Sequence, residues 1–127
     1  PSYQEYARRA VASQAQQEVQ RLATLLDRRK ARNFSYRGFA TTSAVLPVGA
    51  TGSAIKYTLT IRDGNDPDLD LTDDEAAGRN WAIQAVSSDD KNYTMLLTST
   101  GMRCKNKTTA NVDFESCGST ANGSEEW

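Results

Sequence analysis

The chain has 127 residues, 38% of them hydrophobic, and a formal net charge of −1, which fits one domain around one modest core. It has no histidine, so the commonest general base and the commonest metal ligand are missing. The near-neutral balance gives no global basic field that would make nucleic acid or an anionic membrane an obligatory partner. No run of about 20 apolar residues, the length that spans a bilayer, occurs in it.

Residues 1–31 read as one helix. Ala7, Val11, Ala15, Val19, Leu22 and Leu26 recur at spacings of four and three, which lays them on one stripe. The stripe is Ala and Val early and Leu late, so the second half has the stronger need of a partner surface. Pro1 and Ser2 suit a helix start. Arg28, Arg29, Lys30 and Arg32 crowd the end, where cations complement the helix dipole. The start, with no initiator Met, reads as a cut inside or just before a helix.

Residues 32–52 read as a loop punctuated by Asn33, Gly38, Pro47, Gly49 and Gly52. Its apolar residues, among them Phe34, Tyr36, Phe39 and Val45, place it on the body of the domain. An antiparallel sheet of roughly four strands is expected over 53–103. In the first strand Ile55, Tyr57, Leu59 and Ile61 alternate with polar residues. Trp81, Ile83 and Ala85 mark the second; Tyr93, Met95 and Leu97 mark the third. A short fourth strand is expected near Met102 to Lys105. One apolar face per strand predicts a sheet covered on one side. The cover is the helix, through Val19, Leu22 and Leu26 against Ile55, Tyr57, Leu59, Trp81, Ile83, Met95 and Leu97.

Residues 104–127 read as a Cys–Cys loop and a Gly/Ser-rich, acidic tail expected to fray up to Trp127. Cys104 and Cys117 read as a disulfide and not as two reduced thiols, because the segment is polar, late and short of core residues. Closing that loop restrains the unfolded chain by roughly 3 kcal/mol in the chain-entropy model.

Charge is uneven. Residues 1–37 hold eight Arg/Lys and three Asp/Glu, while residues 63–75 hold seven acids and no base. Head-to-tail pairing of subunits is one use of that asymmetry; a solvated surface is the plainer one. Asp63, Asn65, Asp66, Asp68 and Asp70 invite a calcium reading, since calcium takes six to eight oxygens. Pro67 and Asp68 occupy positions where an EF-hand loop wants a ligand and a glycine, so that pattern fails. Arg103, Lys105 and Lys107 form a small basic cluster with only Phe114 near it in sequence as a stacking platform; it reads as a solubilising turn before it reads as a DNA contact. Asn33, Asn92, Asn106 and Asn122 each begin an N-glycosylation pattern. Hydroxyl nucleophiles lack a histidine, and paired carboxylates occur only in the acidic stretch. The reading is therefore not an enzyme, with no cofactor.

The order of parts, and the start Pro1-Ser2-Tyr3-Gln4-Glu5-Tyr6-Ala7-Arg8-Arg9, resembles type IV pilins. Among them it is most similar to PilE-type minor pilins of the twitching-pilus system. The resemblance implies an α+β pilin fold: a long helix on an antiparallel sheet with a C-terminal disulfide loop. It implies an apolar half-helix and leader upstream of Pro1, anchoring the subunit in the inner membrane before the domain is displayed on an extracellular pilus. Expected partners are other major and minor pilins and the inner-membrane assembly machinery. A chain lacking its apolar half-helix is expected to be a monomer. The implied function is a structural minor subunit serving pilus initiation and so twitching, adhesion and DNA uptake. The alternatives are a DNA- or surface-binding pilin, or a type II secretion pseudopilin with a calcium loop.

Overall fold

Helix α1 runs Tyr3–Asn33 in the computed structural model, which describes residues 2–127. Pro1 lies outside the described residues. Ser2 caps the helix: its hydroxyl accepts from the Glu5 amide at 3.2 Å, satisfying one of the first-turn N–H groups that have no partner within the helix. Lys30 and Arg32 occupy the last turn. Of the predicted stripe, Ala15, Val19, Leu22 and Leu26 are buried, Val11 is half-buried and Ala7 is exposed. The cover thus stops short of the first two turns.

The sheet has six antiparallel strands in chain order: β1 Ser43–Leu46, β2 Tyr57–Asp63, β3 Trp81–Ser87, β4 Thr94–Thr98, β5 Arg103–Asn106 and β6 Glu125–Glu126. Leu59 pairs with Ala85 and Ala85 with Met95; Ile61 pairs with Ile83 and Ile83 with Leu97. Strand alternation then puts Tyr57, Leu59, Ile61, Trp81, Ile83, Ala85 and Met95 in one cluster with the helix stripe, and Leu97 packs at its margin.

The structure departs from the sequence reading in four places. Strand β1 lies inside the stretch read as loop, and its Ala44 and Leu46 pack on the helix-side core. Strand β2 starts at Tyr57, because a 3-10 turn at Gly52–Ala54 ends in Ile55, whose N–H bonds to the Gly52 carbonyl. Ile55 is half-buried and stands outside the helix–sheet cluster. The sheet is covered on both sides: Ala82, Leu96, Cys104, Val112 and Cys117 form a second buried cluster, with Phe114 against it. Apolar Ala82 and Leu96 on the supposedly polar face need this cover, and the Cys104–Cys117 segment supplies it. Finally, the tail is a strand. Residues Glu125 and Glu126 pair with Lys105 and Cys104, and the Trp127 indole N–H donates to the Cys104 carbonyl at 2.8 Å.

The helix exit is tied to the β2–β3 connection. The Tyr36 amide donates to the Gly78 carbonyl at 2.9 Å and the Gly38 amide to that of Leu71. Gly78, at φ 69°, allows this approach: a Cβ there would lie 2.8 Å from the Arg37 amide nitrogen.

Candidate functional site

The β4–β5 register, with Met95 opposite Lys105 and Thr94 opposite Asn106, brings Tyr93 beside the end of β5. Lys105 Nζ lies 4.3 Å, and Lys107 Nζ 5.2 Å, from the centroid of its ring. The Tyr93 hydroxyl donates to Glu125 Oε2 at 2.8 Å. That bond, with some burial, pushes its pKa above the usual tyrosine value. Arg103 sits over the Trp127 ring at 4.6 Å. The three bases read as a turn are therefore two strand residues and a neighbour, each resting on an aromatic face. Phe114, the platform suggested by sequence proximity, lies instead near Arg62, 5.9 Å from its guanidinium.

Lys105 and Lys107 form one wall of a groove of about 730 Å³ whose other wall is the early part of α1. Arg8, Arg9, Lys91, Lys105 and Lys107 line it, against two acids, Glu5 and Asp90. Arg8 Nε is paired with Asp89 Oδ2 at 2.9 Å, and the Asn92 side-chain amide donates to the Arg8 carbonyl at 3.1 Å. These contacts hold the helix over the β3–β4 turn. The Lys91 amide, and then the Arg8 guanidinium, hold the Asp89 carboxyl below the usual carboxylate range. Among the described residues Arg9, Lys91, Lys105 and Lys107 form no ion pair. No described carboxylate lies within ion-pair distance of them, and a concave surface focuses the field of such charges. Sequence reading singled out Lys105 and Lys107 but missed Arg8, Arg9, Lys91 and Tyr93 as their companions. Folding the 93–107 stretch as a hairpin on paper would have found Tyr93.

The acidic residues of the calcium reading do not converge. The Asp63 carboxylate is buried and turned inward, accepting from the amides of Asp66 (3.2 Å), Ala77 (3.3 Å) and Gly78 (3.3 Å). Asp66 Oδ1 accepts from the Asp68 amide at 3.2 Å, and Asp70 Oδ1 lies 3.4 Å from Arg62 Nε. Asn65 is exposed. No group of three or more acidic, Cys or His residues that could hold a metal occurs among the described residues. The Asp63 carboxylate anchors the loop through its three amide partners.

Cys104 and Cys117 are joined as a disulfide, and both are buried. Asn106 beside them is also buried, its side-chain amide donating to the carbonyls of Cys117 (2.9 Å) and Asn122 (3.1 Å). Of the four glycosylation patterns, those at Asn92 and Asn106 are thus closed off, while Asn33 and Asn122 are exposed.

The model of the family described as type IV minor pilin ComP, DNA uptake sequence receptor, matches residues 1–121. The chain belongs to that family. Neither a curated protein nor a solved structure matches it. The helix on an antiparallel sheet and the late disulfide are this minor pilin's version of the pilin fold. Membership makes the chain a subunit of a type IV pilus, associated there with other pilins and carried outside the cell once assembled. No helix among the described residues is long and apolar enough to cross a membrane.

Proposed function

We propose that this minor pilin is a DNA-binding subunit of the pilus and serves DNA uptake, with the duplex backbone seated in the groove between early α1 and β4–β5. The observation that carries the reading is the clustering of five cationic side chains on one concave surface of a chain whose net charge is −1. The family's description as a DNA uptake sequence receptor supports it. Arg9, Lys91, Lys105 and Lys107 neutralise phosphates and release counterions, a contribution that positions the duplex without reading its sequence. Tyr93 keeps Lys105 and Lys107 extended across its ring, so less side-chain freedom is lost on contact. Pilus initiation, twitching and adhesion follow from the same subunit role. An apolar half-helix upstream would deliver the domain from the inner membrane to the filament. On this reading Lys105 and Lys107 are DNA contacts first and solubilising residues second.

The test is fluorescence anisotropy with a short labelled duplex over a salt series. Four phosphate contacts predict a log–log salt slope of about −3.6 for the wild type. Lys105→Ala with Lys107→Ala lowers the magnitude of that slope by about two and weakens binding at low salt by about tenfold or more, with stability within about 0.5 kcal/mol of wild type. A wild type that leaves the duplex free at low salt, or a double variant that binds as well as the wild type, overturns the reading.

A further inference from the structure

Phe34 ends α1 in the left-handed region, at φ 59° and ψ 16°, and is the one described residue other than glycine with positive φ. Helices commonly end this way on glycine; a bulky aromatic there is strained. Its ring is also 86% exposed. The backbone turn caps the helix, but glycine would make it without strain and the exposed ring buries nothing. A lone exposed apolar residue is ordinary, but this one is held in place. The Phe34 amide donates to the Lys30 carbonyl at 2.9 Å, and Lys30 Nζ donates back to the Phe34 carbonyl at 3.2 Å. Exposed Arg28, Lys30, Arg32 and Arg37 surround it in sequence, and none of them forms an ion pair among the described residues. The acidic β2–β3 connection reaches this corner at Asp74, whose carbonyl accepts from the Arg37 guanidinium at 3.1 Å.

The position of Phe34 along α1 says what this ring meets. Arg9, Ala12, Ser13 and Gln16 line the cationic groove. Carried on at the helical spacing of three and four, that face passes Gln20, Ala23, Asp27 and Lys30 and ends at Phe34. Asp27 is its one acid beyond the groove. At ideal helical spacing the Cα of Phe34, the cap just past Asn33, falls within about 20° of that of Arg9 around the axis and about 38 Å from it along the axis. That is slightly more than one turn of B-form DNA, about 34–36 Å. A duplex lying along α1 with its backbone in the groove brings that backbone, and the minor groove bordering it, within reach of Phe34 about one turn on.

We infer that Phe34 is an apolar wedge for duplex DNA, entering the minor groove about one helical turn from the cationic groove and partly unstacking a base step, as exposed Phe residues flanked by cations can. The inference rests on the DNA reading of the groove and adds a second, salt-independent contact to it.

Phe34→Gly separates binding from folding, because glycine relieves the left-handed strain. The Phe34→Gly domain is expected to melt at or above the wild-type temperature yet bind a 20-base-pair duplex about five- to tenfold more weakly, with an unchanged salt slope. Phe34→Trp restores the affinity. A 2-aminopurine placed along the duplex brightens at one step with the wild type and not with Phe34→Gly. If the wild type binds through Lys105 and Lys107 and Phe34→Gly binds equally well, the wedge is wrong and the groove stands. If the wild type binds no duplex at all, both fall.

Discussion

From Ala15 to Leu26 the helix is held by apolar burial, with Ala15, Val19, Leu22 and Leu26 at 0–1% exposure. From Tyr3 to Ser13 it is held mainly by polar latches, Arg8 on Asp89 and Asn92 on the Arg8 carbonyl, with only the half-buried Val11 and Ala12 packing on the core. The first arrangement excludes water and tolerates no unpaired charge. The second keeps the helix in place while leaving Arg9 and its neighbours turned outward. One continuous helix thus serves as core element at one end and as the wall of a charged groove at the other. The division falls between Val11, which is half-buried, and Ala15, which is fully buried.

Breaking the covered half has the largest expected effect. Leu26→Ala removes a fully buried side chain under the sheet and is expected to lower unfolding free energy by about 2–5 kcal/mol, read from the urea midpoint. A loss under about 1 kcal/mol would mean that the stripe is not what binds helix to sheet.

The covered half was legible in the sequence because it is periodic. Val19, Leu22 and Leu26 declare one helix face, and Tyr57, Leu59 and Ile61 declare one strand face. Strand β1 was hidden because four residues before Pro47 carry too little pattern, and what identifies them is distant pairing with Tyr57 to Thr60. The second apolar cluster was hidden because Ala82 and Leu96 look incidental until the disulfide segment is folded over them. The groove left the weakest trace of all. Arg8 and Arg9, Lys91, and Lys105 and Lys107 come from three separate stretches of chain, so no linear motif gathers them. Asp63 misled for the opposite reason: its neighbours in sequence are acids, but its carboxylate faces backbone amides.

An intermediate effect probes how dry the covered half is. Burial, assisted by the Asp89 charge, pushes the Tyr57 hydroxyl up to about 12, against about 10 in an unfolded chain. Below pH 10 tyrosine is neutral in both states and its full contribution is present. Between pH 10 and 12 the unfolded chain loses the proton while the folded one keeps it, so stability falls as pH rises, by about 2–3 kcal/mol in all. Denaturation curves at pH 9 and pH 11.5 should diverge for the wild type, and Tyr57→Phe should flatten that component. An equal fall in both proteins would place the sensitivity elsewhere.

The smallest effect sharpens the latched half. Arg8→Ala removes a half-exposed ion pair and is expected to cost about 0.2–1 kcal/mol. Hydrogen exchange should quicken at the amides before Ser13 and stay unchanged around Val19 to Leu26. A uniform quickening along α1 would show that the two halves are not independent.

The strand order has a kinetic side. Because each strand pairs with its predecessor in the chain, the sheet can zip up hairpin by hairpin, and the steps from β3 to β5 close short loops. Among the steps from β2 to β5 the exception is β2 with β3, which must wait for the whole stretch from Gly64 to Asn80 to come around. The Asp63 carboxylate gathers both ends of that stretch by gripping Asp66 on one side and Ala77 and Gly78 on the other. The residue that looked like a cation ligand is placed to govern how quickly the middle of the sheet can nucleate.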